Sequence, residues 1–471
     1  MNLTTNKDIL ILILGNIPRV ILLVIYIRLQ TFFLDYENLS KYYLIFSTYT
    51  FFSVVFIGPI TLYLSRNIID WFKRGKLIPN LELVFRKLII PISLFAFIII
   101  STSVFIINYL SSSIVFSQLI GLIIFILLLS KTISDFILSA FNLLGKNDLF
   151  IFLTLAFHVI SPIISVFFVI NFQESYLNWI VGLLIANLII GVKGWKVLKK
   201  QSIKNGLSID FNQIKSFSIS LMTASFLGWI LTDGFRFISE MKIGIINTGI
   251  LILGLVSVNQ IFANLEVLFN QFLMPKYFNR IASKKAQMRS IAFNKLFSLA
   301  IPIYFIISLL MVKFSDLIID ILIDKSKINE QLKTIFIISI GIELLKVLIN
   351  IIKNITVSEY KSKTFIIPYI IGSLTLILGL YSNYFNSPIL ISYLIFFCYC
   401  LIFILLIFIM NQVLKIKLNI RLIILNLIPI ALIYFLVDII SNSYILLDIF
   451  FLLISLSVIL RLIFIYIADE S

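Results

Sequence analysis

Charge is scarce in this chain: Asp, Glu, Lys and Arg make up 13% of 471 residues, and only 22 are acidic. Histidine occurs once and cysteine twice. His158 stands four residues before Pro162 in an apolar run and by itself supplies neither a catalytic triad nor a metal cage, so a packed or helix-bonded role is expected. Cys398 and Cys400 are two residues apart in another apolar run. On a helix they point about 200° apart, which excludes a bridge between them and leaves them as core filler. There is no Walker loop, no zinc-ligand spacing and no H-E-x-x-H, so ATP-driven pumping by this chain alone is excluded. The start, MNLTTNKDIL, has no basic segment leading to a small-residue cleavage site, so no cleaved signal peptide is expected.

What the chain has in abundance is apolar surface: 61% of its residues are hydrophobic and the mean hydropathy is +1.10. Water does not tolerate exposed patches on that scale, and the composition identifies an integral membrane protein. Apolar runs fall at residues 9–34, 42–64, 88–109, 113–133, 149–171, 177–195, 216–238, 246–273, 292–312, 334–353, 364–381, 389–411, 420–437 and 445–466. Fourteen spans of about 20 residues consume about 280 positions and leave about 13 for each connection or tail, too few for a soluble catalytic domain. The expected fold is therefore an all-α polytopic membrane protein of about 14 transmembrane helices.

Charge sets the orientation. The net charge is +16, and basic loops on the cytoplasmic face account for it without nucleic acid. With the N-terminus inside, 28 Lys and Arg lie in or beside the cytoplasmic connections and 7 on the outer side. Shifting the spans by one destroys that alternation, so both termini are expected in the cytoplasm. Tyr63 and Arg66 open a basic cluster after the second span, and Tyr277 and Arg280 open another after the eighth. A repeat of six helices keeps one orientation and suggests the parallel-repeat plan of alternating-access transporters. The expected organisation is a six-helix lobe over 1–200, a second over 201–412, and two further helices over 413–471, with a central cavity between the lobes. Two basic inner loops that merely look alike are the alternative.

Polar residues inside spans are costly and mark cavities or partners. On the first helix, Asp8, Leu12, Tyr26 and Gln30 share the face of Arg19, with Gly15 and Asn16 beside it. Arg19 is thus a cavity-lining candidate, with a structural ion pair as the alternative. Arg28 falls near the opposite side, close to the outer end, where it either serves the cargo or anchors at the interface. The tenth span carries Ser339, Glu343, Lys346, Asn350 and Asn354 on one stripe, and Glu343 and Lys346 can neutralise each other. The eighth carries Asn259, Glu266 and Asn270, and Glu266 has no basic partner on its own helix. It must pair elsewhere, with Arg19 or Lys346, or be protonated. Asp233 and Arg236 form an i,i+3 pair near the outer end of the seventh span, and Lys131 and Asp135 an i,i+4 pair on the fourth. Asp316, Asp320 and Asp324 recur every fourth residue, a pattern suited to an amphipathic surface segment rather than a calcium loop.

Three stretches resemble a known family. Residues 26–66, YIRLQTFFLDYENLSKYYLIFSTYTFFSVVFIGPITLYLSR, are similar to the helix 1–2 region of the polysaccharide-biosynthesis flippases (O-antigen flippase-like) of the multidrug/oligosaccharidyl-lipid/polysaccharide exporter superfamily, with Arg28, Tyr42, Gly58 and Arg66 at the matching positions. Residues 229–252 resemble the helix 7–8 region, and 344–366 the segment joining helices 10 and 11. Family members often have adjacent Asp-Arg near the end of helix 7, whereas here Phe235 precedes Arg236 and the acid stands at Asp233.

The resemblance implies a two-lobed flippase, not an enzyme, that moves an undecaprenyl-pyrophosphate-linked oligosaccharide to the outer leaflet of a bacterial cytoplasmic membrane. The polar stripes supply the candidate substrate set, Asn16, Arg19, Tyr26, Arg28, Gln30, Arg236, Lys346 and Asn350, with Asp233, Glu266 and Glu343 as ion-coupling candidates. Cations suit a pyrophosphate, and Asn and Tyr suit sugar hydroxyls. No catalytic residue, metal or cofactor is expected; a proton or sodium gradient is the candidate energy source. The expected partners are the lipid-linked oligosaccharide, membrane lipids, and the polysaccharide polymerase and chain-length machinery, with no nucleic acid. The rival readings are an ion-coupled multidrug or organic-cation antiporter of the same superfamily, which would present a carboxylate-rich cavity, and a membrane-embedded polymerase, which would need a larger outer loop.

Overall fold

The computed structural model describes residues 6–108, 114–172, 175–201, 209–274, 277, 286–358, 362–414, 419–440 and 445–468. Among them there is no strand, and fourteen long helices follow one another. They are α1 (Asn6–Phe33), α2 (Tyr36–Lys73), α3 (77–108), α4 (Ile114–Leu143), α5 (Asn147–Phe172), α6 (Tyr176–Gln201), α7 (211–243), α8 (Ile245–Phe272), α9 (Ala286–Lys313), α10 (Glu330–Ser358), α11 (Ile366–Tyr381), α12 (Pro388–Leu414), α13 (Ile420–Ile440) and α14 (Ile445–Ala468). A short helix, Ser315–Leu322, precedes α10. Among the described residues ten helices are long and apolar enough to cross a bilayer, and α7 makes an eleventh. Each of the fourteen apolar runs thus has its helix, and the protein is an all-α polytopic membrane protein.

Several helices overrun the apolar runs, and the local chemistry explains why. The Asp35 carboxylate accepts the Asn38 N–H at 2.7 Å and starts α2 six residues before its apolar run. At the other end Gly75 adopts φ 70°. There Lys76 N–H donates to Trp71 O at 2.8 Å and Gly75 N–H to Phe72 O at 3.1 Å, a left-handed stop that lets α3 begin at once. The α4–α5 connection repeats this device at Gly145.

The chain forms two compact units. The first comprises residues 1–249 together with Leu322–Lys327; the second comprises Ile250–Ile321 and residues from Ile328 onward. In the first unit α6 packs on α4 and α5, α1 on α5, α3 on α4, and α2 on α7. Gly182 of α6 lies so close to the backbone of Ser165 in α5 that a Cβ would collide with it, and the Ser165 hydroxyl donates to Trp179 O at 3.0 Å. Close approach of this kind replaces the hydrophobic drive that is absent between helices in lipid. Phe152, Ile163, Phe167 and Ile170 of α5 stay exposed, a greasy stripe that suits lipid and not water.

Among the described residues three π turns interrupt the first unit: Phe51–Ile57 in α2, Phe85–Ile89 in α3 and Ile230–Gly234 in α7. Such turns insert an extra residue and recur at functional sites. Phe51 packs on Trp229 with ring centroids 4.9 Å apart, which joins the first of these turns to the helix that carries the third.

In the second unit α9 is central, against α10, α12, α13 and α14, while α12 also packs on α10 and α11. Small residues mark the seams here too: Gly254 of α8 faces Ile335 of α10, and Gly372 and Gly379 of α11 face Ile402 and Leu394 of α12. Lys313 reaches Asp448 at 3.6 Å and ties α9 to α14. Both cysteines are free, with Cys398 buried.

Candidate functional site

Each unit holds a buried polar cluster. In the first, the α7 π turn places Asp233 one helical turn from Arg236, and the expected i,i+3 pair forms at 2.8 Å. Arg236 is only 8% exposed. Its second partner is the Ser47 hydroxyl of α2 at 3.0 Å, and the Tyr43 ring lies 5.8 Å from the guanidinium. Thr232 adds a hydroxyl to the Asp233 carboxylate at 3.1 Å. The Trp229 indole donates to Ser47 O at 3.1 Å and fixes the two helices at this level.

The same cluster reaches α1. Tyr43 OH donates to Gln30 Oε1 at 3.3 Å, and Trp179 Nε1 donates to the Tyr26 hydroxyl at 2.8 Å. Gln30 and Tyr26 therefore lie on the inward stripe expected of α1, while Ile17, Ile21, Ile25 and Phe32 of its other side are exposed. Asp8 and Leu12 fall outside the residues whose side chains are described. Arg19 continues the stripe. It makes no ion pair among the described residues, its Nε is buried without a hydrogen-bond partner, and His158 of α5 lies within its electrostatic reach. His158 itself bonds Thr154 O through Nδ1 at 2.7 Å. Asn16 is half-buried beside the stripe.

Arg28 stands apart from this cluster. It pairs with Asp324 at 3.7 Å and donates to Ile323 O, while Thr31 Oγ1 accepts the Asp324 N–H at 3.0 Å. Tyr36 OH donates to Lys327 O. Arg28 is thus engaged by the Leu322–Lys327 segment. The Asp324 carboxyl is held below the usual range chiefly by the Ser326 hydroxyl and N–H, with Arg28 contributing. Lys131 and Asp135 pair on α4 at 2.9 Å as expected.

In the second unit α8 and α10 exchange polar groups reciprocally. Asn259 of α8 donates to Glu343 Oε2 of α10 at 3.0 Å, and Asn350 of α10 donates to Glu266 Oε2 of α8 at 3.1 Å. Lys346 closes the expected pair with Glu343 at 2.6 Å and lies 5.8 Å from the Tyr399 ring of α12. Glu343 is 4% exposed. Glu266 makes no ion pair among the described residues; its direct partner is the Asn350 amide, with Lys346 and Lys353 acting on it at longer range. Glu266 is thus held by an amide, where a direct salt bridge to Arg19 or Lys346 had been one expectation. Asp316 pairs with Lys333 at 2.9 Å. Of the second basic cluster, Lys276, Arg280, Lys284 and Lys285 lie outside the described residues.

Sequence reasoning missed Tyr43, Ser47, Trp179, Trp229 and Tyr399. For Tyr43 and Ser47 the one signal is an unusual density of aromatic and hydroxyl side chains over 42–53, which carries no partner information; Trp179, Trp229 and Tyr399 have no comparable signal.

No family model and no curated protein matches the chain. Solved structures do. The lipid II flippase MurJ, in an inward closed conformation, superposes with a TM-score of 0.63 at 14% identity, over 99% of each chain. An outward-facing multidrug resistance MATE family transporter of the MOP superfamily superposes with a TM-score of 0.56 at 11% identity, over 86% of this chain and 96% of that one. A MOP superfamily transporter from Pyrococcus furiosus, with a binding pocket of reversed polarity, gives 0.51 at 11% identity, over 87% of this chain and 94% of that one. At such identities the likeness is one of backbone: this chain shares the fold of these flippases and transporters.

Proposed function

We propose that the protein is an alternating-access flippase that moves an undecaprenyl-pyrophosphate-linked oligosaccharide from the cytoplasmic to the outer leaflet of a bacterial cytoplasmic membrane, with both termini inside. The observation that carries this reading is Arg19. Arg28, Lys131 and Arg236 in the same unit each have a carboxylate, whereas Arg19 lies on the buried stripe with none among the described residues. A cation at membrane depth needs an anion, and a guanidinium offers a pyrophosphate paired donors. Gln30, Tyr26 and Asn16 beside it suit sugar hydroxyls. Glu266 or Glu343 would take a proton or sodium ion and bias the inward and outward states, with Asp233 as a further candidate; Arg236 in the first unit and Lys346 and Asn350 in the second are further proposed contacts to the cargo.

The test is deletion of the gene followed by mass analysis of polyprenyl-linked glycans. Accumulation of a complete lipid-linked repeat unit with loss of surface polysaccharide supports the proposal. Truncated glycans would move the protein to assembly, and unchanged glycans with sensitivity to cationic drugs would favour an antiporter. A second reading, that the cargo is the lipid II for which the similar flippase is named, is favoured by a match over 99% of both chains, the last two helices included. The same extraction separates the two by the glycan that accumulates.

A further inference from the structure

A cleft of about 530 Å³ opens in the first unit between α3, α4 and α6, away from the Arg19 stripe. Its floor is apolar: Leu129 and Ile133 of α4 and Leu188 and Val192 of α6 line it. Leu188 and Val192 are also exposed, so one side of the cleft faces the surrounding lipid. Gly191 lets α6 approach α4 here, since a Cβ would lie 3.3 Å from Ile133.

The rim is of the opposite character. Arg86, in the α3 π turn, and Lys196, near the end of α6, both line the cleft. Neither makes an ion pair among the described residues. The acid on the rim, Glu82, is engaged by Lys199 at 3.5 Å. Lys87, next to Arg86, is turned away and lies 5.2 Å from the Phe211 ring. Trp195 and Phe85 pack edge to face at 6.2 Å between floor and rim, the position that amphipathic rings take at a membrane interface. This is the end of the unit that the charge asymmetry assigns to the cytoplasm.

We propose that the α3–α4–α6 cleft is a binding site for an anionic glycerophospholipid, its phosphate between Arg86 and Lys196 and an acyl chain along the Leu129–Ile133 floor. The opening to lipid supplies the acyl chain, and two free cations beside a neutralised acid supply the charge preference; basic pockets between transmembrane helices on the cytoplasmic side bind anionic headgroups by this chemistry. The site is separate from the proposed transport stripe, so its test does not depend on the cargo.

Trp195 is the reporter. The full-length protein is reconstituted in phosphatidylcholine vesicles containing a minor fraction of dibrominated phosphatidylglycerol or, in parallel, dibrominated phosphatidylcholine. Bromine quenches indole fluorescence at contact. The expected result is stronger quenching by the anionic lipid, a difference that disappears in Trp195→Phe. Arg86→Gln and Lys196→Gln, both at exposed positions, should each lower the preference about fivefold, the factor matching about 1 kcal/mol per basic residue at an anionic surface. Equal quenching by the two lipids overturns the proposal, as does a preference that survives R86Q/K196Q. Loss of the preference when inorganic phosphate is added in excess overturns it too, since the site would then take phosphate itself and not the lipid.

Discussion

The two polar clusters solve the same problem with opposite remainders. In the first unit Asp233 is spent on Arg236, Asp135 on Lys131 and Asp324 on Arg28, and Arg19 has no carboxylate among the described residues. In the second unit the pairing of Glu343 with Lys346 leaves a carboxylate, Glu266, held by an amide. A surplus cation invites an anionic cargo, and a surplus carboxylate invites a proton or a metal cation. One chain thereby carries candidates for both halves of a coupled transport cycle, on different helices.

The largest effect that would break this comparison is expected at Asp233. Asp233→Ala strands Arg236 in a buried site and should cost about 3–5 kcal/mol of stability. Asp233→Ala with Arg236→Met should recover most of it, measured as thermal stability in detergent; no recovery would mean that Arg236 is held by Ser47 and Tyr43 and not by its charge partner. Arg19→Ala comes next. It removes two charge-assisted hydrogen bonds to the proposed pyrophosphate and should lower transport about 100-fold with normal membrane insertion, while Arg19→Lys keeps partial activity. Near wild-type transport in Arg19→Ala would end the anion-site assignment.

A smaller effect is expected in the other unit. Glu266→Gln and Glu343→Gln should shift the dependence of transport on pH or sodium by about tenfold, the scale of an ordinary coupling free energy. An unchanged dependence in both removes them as coupling sites. The smallest effect is at Asp324. Its carboxyl is depressed by Ser326 and then by Arg28, so its contribution is complete above the ordinary aspartate range and is lost as pH falls through the lowered value. Asp324→Asn should therefore remove stability at neutral pH, by no more than about 1 kcal/mol, and leave acid stability unchanged. Equal losses at both pH values would show that packing, not charge, is what Asp324 supplies.

Much of the architecture was legible because membrane helices announce themselves by length and charge asymmetry. The pairs Glu343/Lys346, Asp233/Arg236 and Lys131/Asp135 were legible too, since helical periodicity alone brings i,i+3 and i,i+4 side chains together. What was not legible needs distance information. Arg28 finds Asp324 at 296 positions' remove, and Asn259 finds Glu343 only once the register of α8 on α10 is fixed. The three π turns leave no local mark either: Phe51–Ile57 reads as an ordinary greasy helix, and its geometry goes with the Trp229 and Phe226 rings packed against it.

The reciprocal bonds between α8 and α10 have a mechanical consequence. Asn259 and Glu266 are seven residues apart on one helix, and Glu343 and Asn350 seven apart on the other, so the bonds form two rungs about 10 Å apart between parallel rods. Sliding one rod by a single turn would break both rungs at once. The ladder therefore resists slippage as a whole and fixes the register of α8 on α10.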